Sequence, residues 1–498
     1  MLLILSVVWR YAGAALLLAL AACSTGGGFA PQDGQLFGEV YGDVVRYHIE
    51  SIEPEQLALA ALAGLRRIDP AFVVNTANGA VTLNDGSEVA REPAPADDNA
   101  AAWGDLTARM MAKARERSPL IADVAPDIAD ERVLDAALHT LDRFSRYVRP
   151  DVARDHRAER DGFIGVGVTL DFSDGKVRVA SVLPETPAAA AGIQVADRIV
   201  AIDGAALGEL SEEDVQQRLL GPKNSTVAFQ IARAGGDAPL TLVMRREVIF
   251  RQTVTLKTHD GIAWLKVASF NQRTARSAAR LLRAAHQELG RQFRGIVLDL
   301  RGDPGGLLDQ AVDLASIFLA DEPVTSTAGR VPESHQSFDA PREGEPEKAP
   351  LAVLIDGGSA SSAEIVAAAL QDAGRAVVIG SASFGKGTVQ TVLRTRNGGE
   401  LTVTWAELYS PAGYPLNHHG VVPTVCTAAP GVAESELRTA RTGLDDAAWT
   451  RLRGLCPPQR ASGDADDRAA LALITDPARY RTALMAEPPH PAEARLPN

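Results

Sequence analysis

A serine among small residues, a lysine between two glycines and a Pro-Gly-Gly turn are the parts of this sequence best suited to chemistry. Gly357-Gly358-Ser359-Ala360-Ser361-Ser362-Ala363-Glu364 follows an apolar, strand-like run and opens a helical pattern. Small residues at such a turn expose a hydroxyl at a helix N-terminus, where backbone N–H groups can hold a developing oxyanion. Ser361 and Glu364 also have the spacing of a capping box, so the segment read by itself is equally a helix start. Gly385-Lys386-Gly387-Thr388-Val389-Gln390 supplies a base for a serine. A free lysine has a pKa of about 10.4, so burial or nearby positive charge must lower it. Phe384 is expected to be the desolvating wall, and Gln390 is expected to orient the amine through its side-chain oxygen. Asp299-Leu300-Arg301-Gly302-Asp303-Pro304-Gly305-Gly306 presents backbone N–H groups at the end of a strand, where α/β folds place ligands.

These segments need a scaffold that brings strand ends together. From about Thr253 to Pro430 apolar strand-like runs (263–268, 295–300, 351–355, 375–379) alternate with helical patterns (274–289, 308–319, 361–373), which predicts an α/β domain. Residues 328–350, rich in Pro and Glu, read as a loop. Between Gly162 and Val248 the texture changes to short strands, with one helix at 211–220. Before it, helical patterns (36–70, 103–117, 130–144) enclose a hairpin over 72–92 with Asn84-Asp85-Gly86 as its turn. After Pro430 the pattern is helical and acidic (434–455, 464–485), with a Pro-rich end. The expected divisions are 1–22, 23–160, 161–250, 251–430 and 431–498. The fold class is therefore multidomain, α/β and α+β together.

The order and wording of the three chemical segments resemble the carboxyl-terminal processing (tail-specific) protease family, from about Asp135 through Pro423. The resemblance implies a serine endopeptidase with a Ser–Lys dyad. Ser361 would be the nucleophile, Lys386 the base and Gln390 its helper. Ser362 and Gly305 N–H groups would form the oxyanion hole. It also implies that residues 161–250 are a permuted PDZ domain, in which Phe163-Ile164-Gly165-Val166 captures a C-terminal carboxylate while the peptide adds as a β-strand. The sequence departs from the family's wording at Ser362-Ala363, at Gly302-Asp303, which brings a charge near the site, and at Tyr414. Substrates would be proteins or peptides held by the C-terminus. An adaptor lipoprotein and a second copy of the chain are the other partners the resemblance allows.

Residues 1–22 are almost wholly apolar apart from Arg10, and end in Leu20-Ala21-Ala22 before Cys23. That pattern is a secretory signal whose end resembles a bacterial lipobox, with Cys23 as the lipidated residue. Ser24 then favours the outer membrane, which places the rest of the chain in the periplasm, on a lipid anchor. In that oxidising space Cys426 and Cys456 can pair, and geometry decides whether they do.

Composition narrows the classes further. The 498 residues carry 50 Lys and Arg against 63 Asp and Glu, a net charge of −13, which argues against a nucleic-acid binder. Three Cys cannot make a disulfide framework or a four-Cys zinc site. No H-E-x-x-H occurs, and neither metal nor cofactor is expected. Two alternatives stand beside the protease: a PDZ scaffold with a weak or inactive core, and a Ser-His-Asp hydrolase.

Overall fold

Along the strands of the expected α/β domain, side chains alternate between two buried faces, and this alternation dictates three layers. The computed structural model describes residues 32–484, apart from 209, 236–237, 430–443 and 461–463. Cys23, the segment read as its signal, the start of the helix expected from Glu434 and the Pro-rich end all lie outside the described residues.

The central sheet has strand order 254–259, 262–267, 295–299, 351–355, 377–380, 425–426, parallel except for its first pair. Leu265, Leu298, Val353 and Ile355 face helices Thr274–Leu289, Leu308–Ala315 and Ser362–Asp372. Their neighbours Ile262, Val297, Ala352, Leu354 and Ile379 face the other way. They are covered by helices Ala465–Thr475 and Pro477–Leu484 through Leu473, Ile474 and Tyr480. The C-terminal region read as an extension is thus the second helical layer of the α/β sandwich, as a parallel sheet buried on both faces requires.

A second, five-stranded sheet sits beside it. Strand Glu400–Tyr409 pairs with Thr388–Arg394, with Pro323–Ala328 and with Arg146–Val148. Two expectations change here. Residues 328–350 are not all loop, because Gln336–Asp339 pairs antiparallel with Pro323–Ala328. The helix expected over 130–144 spans Pro126–Leu138 instead. The Asp142 carboxylate accepts the N–H groups of Phe144 and Ser145, offering the backbone an alternative to helix.

The N-terminal region packs helices Gln32–Tyr47, Pro54–Ala63, Ala100–Arg117 and Pro126–Leu138 around Phe37, Tyr41, Leu57, Leu62 and Trp103. Leu401 and Val403 of the second sheet belong to the same core, so this region is continuous with the α/β one. The expected hairpin is a three-stranded meander, because Asn78-Gly79 makes an additional turn with both residues at positive φ.

Residues 163–249 form a five-strand path in the order 240–245, 226–232, 198–202, 177–182, 168–171, with helix Glu212–Leu219 against it. Strand Val168–Asp171 ends that path and has no strand partner on its outer edge among the described residues.

Candidate active site

The turn at Ser361, the expected nucleophile, is strained. Ser361 sits at φ 55° and ψ −117°, a conformation that costs a non-glycine residue about 1–3 kcal/mol. It lies between the end of strand Leu351–Ile355 and helix Ser362–Asp372, which begins at the next residue. Ser362 is therefore a first-turn residue whose N–H has no partner inside the helix.

Gly305 explains how closely the Pro-Gly-Gly turn approaches. Its φ is 97°, and a Cβ there would lie 2.8 Å from the Ser361 Cβ and 3.0 Å from the Ser362 nitrogen. Only glycine brings the turn against the serine. The Gly305 N–H does not point freely at the site, however. It donates to Asp303 Oδ1 at 2.8 Å, so the expected oxyanion donor is shared with a side chain. Asp303 is fully buried, its Oδ2 has no hydrogen-bond partner among the described residues, and burial pushes its pKa up to about 7.

Lys386 is tuned by residues that the sequence reading missed. Its Nζ lies 4.9 Å from the centroid of the Phe144 ring. Burial lowers its pKa, Arg146 and Arg143 lower it further, and Glu364 opposes them. The expected wall, Phe384, is 44% exposed; its ring instead takes the Arg143 guanidinium at 5.2 Å. The actual wall, residues 143–146, comes from the N-terminal region, far from Lys386 in sequence. Asp142 organises that loop. Although burial would raise its pKa, hydrogen bonds from His48, Ser145 and Phe144 hold it well below the usual carboxylate range.

Gln390 follows a bulge between Val389 and Gln390, the kind of irregularity that re-aims a side chain beside an active site. Its amide nitrogen donates to Thr388 Oγ1 at 2.9 Å and Thr404 Oγ1 at 3.3 Å. Thr404 in turn donates to Asp142 at 3.2 Å.

Glu364, read from sequence only as a cap, is fully buried and accepts four bonds. Ser361 N–H reaches it at 2.8 Å, Lys386 N–H at 2.9 Å and Gly385 N–H at 2.6 Å, and the Ser383 hydroxyl is the fourth donor. Burial raises its pKa against those donors.

Ser361, Lys386, Gln390 and the Pro304-Gly305-Gly306 turn open onto one cavity of about 570 Å3. Its wall is partly apolar, with Leu307, Ile365 and Leu408, and partly charged, with Arg146, Arg160 and Glu400. A second groove of about 210 Å3 is lined by Phe163, Ile164, Gly165 and Val166 facing Gln216, Leu219 and Leu220. Helix Pro150–Asp161 joins the two: Arg160 lines the cavity and Phe163, three residues on, lines the groove. Cys426 and Cys456 are joined in a disulfide. No cluster with metal-ligand geometry occurs among the described residues.

Residues 261–427 match the family model of peptidase family S41, and residues 178–233 match that of the PDZ domain. A carboxy-terminal-processing protease of Bartonella bacilliformis is 34% identical over 320 residues, 62% of this chain and 74% of the relative. A carboxyl-terminal-processing protease of Synechocystis is 30% identical over 330 residues, 64% and 76% of the two chains. Among solved structures, the photosystem II D1 C-terminal processing protease aligns over 80% of this chain and 93% of that one, with 24% identity and a TM-score of 0.41. The chain belongs to peptidase family S41, as a serine protease of the carboxy-terminal-processing kind that carries a PDZ domain.

Proposed function

We propose that the chain cleaves proteins held by their C-termini, using Ser361 and Lys386 as a dyad. The observation that carries this reading is the shared cavity. It holds the strained serine and a lysine amine pressed beneath an aromatic ring and flanked by two guanidinium groups. A lysine so placed is neutral at lower pH than a free one and can take a proton. Ser361 Oγ attacks the scissile carbonyl carbon as Lys386 Nζ accepts its proton. Ser362 N–H and the Pro304-Gly305-Gly306 turn receive the oxyanion. Lys386 then returns the proton to the leaving amine, and water hydrolyses the acyl-enzyme with Lys386 again as base. The Gln390 nitrogen is held by two threonines, which leaves its oxygen to accept from the lysine amine.

The groove beside strand Val168–Asp171 would take the substrate's C-terminal residues, with the peptide adding along the open edge. A lipid anchor at Cys23 would hold the enzyme on the periplasmic side of the envelope; loss of labelled fatty acid in Cys23→Ser checks that part. Turnover of an unfolded protein with a free C-terminus tests the chemistry: Ser361→Ala and Lys386→Met should each abolish it while leaving the fold intact. Wild-type turnover in either variant would sink the dyad. The Ser-His-Asp alternative would have to use His156, on the cavity wall. His156→Ala is expected to stay active.

A further inference from the structure

The chain after the last core strand touches all three catalytic segments from outside. Gly357, at the start of the nucleophile turn, donates its N–H to the Gln459 carbonyl at 2.8 Å, and a Cβ on Gly357 would lie 3.0 Å from the Gln459 nitrogen. The Ser381 hydroxyl donates to the same carbonyl at 2.9 Å, and Ala382 N–H donates to the Cys456 carbonyl at 3.3 Å. These bonds brace the bend that leads to Lys386. Arg301, beside the Pro-Gly-Gly turn, pairs with Asp466 at 3.1 Å and Asp467 at 2.8 Å.

Arg453 is the centre of this contact. It lies on helix Asp446–Leu455 and donates to the Ser383 carbonyl at 2.6 Å, the Phe384 carbonyl at 3.1 Å and the His419 carbonyl at 2.6 Å. Half-burying a guanidinium is costly, and this one is directed at carbonyls two and three residues before the base. Trp449 Nε1 adds a bond to the His419 carbonyl at 3.0 Å. Cys456 ends the helix. It packs with Ala382, Val422 and Leu452 and is tied through its disulfide to Cys426, at the end of the last core strand. None of Arg453, Cys456, Gln459, Asp466 or Asp467 lies in the 261–427 stretch matched to family S41.

We propose that residues 444–460 and 464–467 are a clamp that positions the base and nucleophile segments, with Arg453 as its positioning residue and the Cys426–Cys456 disulfide as its staple, so that reduction of the disulfide by a dithiol lowers turnover. In that reduction two electrons and two protons pass from the dithiol to the protein. Two cysteine thiols form and the dithiol becomes a cyclic disulfide. Apart from the main chain itself, the helix is then held to the core only by non-covalent contacts. Displacement of catalytic groups by about 1 Å costs up to a hundredfold in rate, and substrate binding in the groove is not involved.

The clamp rests on the Ser–Lys reading, and one set of full-length variants separates the two. Turnover of an unstructured peptide is measured with Ser361→Ala, Lys386→Met, Arg453→Ala, Arg453→Lys and Cys426→Ser/Cys456→Ser, alongside thermal unfolding. Arg453→Ala is expected to lose about tenfold to a hundredfold in kcat with KM within about twofold, and Arg453→Lys to recover part of it. Wild type treated with dithiothreitol should fall to the level of the double serine variant, which does not respond to the reagent, and recover on reoxidation. Should Arg453→Ala not fold, the cysteine pair decides. A wild-type kcat in folded Arg453→Ala, or in reduced protein whose thiols titrate as free, overturns the clamp. Turnover surviving in Ser361→Ala or Lys386→Met overturns the dyad instead.

Discussion

The Glu364 carboxylate accepts the backbone N–H of Ser361 at 2.8 Å and that of Lys386 at 2.9 Å, joining the Ser361 and Lys386 segments through one buried group. It supports the strained Ser361 backbone and closes the bend before Lys386 in the same place.

Glu364→Ala leaves four donors facing a void. Each buried donor without a partner costs about 1–3 kcal/mol, so the variant should lose on the order of 4 kcal/mol of stability and all turnover. Chemical denaturation checks it, and a loss below about 1 kcal/mol would refute the central placement of this carboxylate.

Phe144→Ala lets water reach the lysine amine, and Arg146→Ala removes a positive charge beside it. Both raise the Lys386 pKa. Because the neutral amine is the active form, the rising limb of kcat against pH should move to higher pH. Activity near neutrality falls while the alkaline plateau stays. An unmoved limb in both variants would show that the wall does not tune the base.

Asp303 binds its proton more tightly folded than unfolded, with a folded pKa of about 7. A carboxyl raised in this way contributes stability at low pH that is lost as pH climbs through the folded value. From about pH 4 to 8 the loss amounts to no more than about 4 kcal/mol. Asp303→Asn keeps an acceptor for Gly305 N–H and removes the proton. Its advantage over wild type should therefore grow between pH 5 and pH 8 in denaturant titrations; a constant difference counts against a neutral Asp303.

Leu219→Asp places a charge in the groove opposite Phe163-Ile164-Gly165-Val166. Substrates with a free C-terminus should show a KM raised about tenfold or more, and short internal peptides none of that loss. Amidating the substrate's C-terminus in wild type should have the same effect.

A chain ending at Arg460 exposes Ile262, Val297, Ala352, Leu354 and Ile379, which the last two helices cover. At about 1.5–3 kcal/mol per large apolar side chain, the loss is comparable with total stability. The truncated chain should give no cooperative unfolding transition, and calorimetry would reveal one if the helices were dispensable.

Local rules made much of this molecule legible in advance. Strands of four to six apolar residues and helices with a 3.6-residue period stand out wherever one face is buried, so Leu351–Ile355 and Thr274–Leu289 were expected with the boundaries they have. Small residues and glycines marked Ser361, Lys386 and Gly305 because tight turns admit little else. The long pair Thr388–Arg394 and Glu400–Tyr409 escaped notice, since a two-sided strand with polar positions gives weak periodicity.

The residues that tune the site were beyond reach for a different reason. Phe144 and Arg146 reach Lys386, and Asp142 reaches Thr404, only because Arg146–Val148 pairs with Glu400–Tyr409, a register set by packing across some 250 residues of chain. Glu364 had the spacing of an ordinary cap, and only the approach of Ser383–Lys386 gave its second oxygen a purpose. Sequence by itself determined which residues can react and which turns expose them. The tertiary structure decided what surrounds them: which ring covers the amine, which carboxylate takes the N–H of Gly305, and which helices close the back of the sheet. Those surroundings come from contacts between distant segments, and no local pattern encodes them.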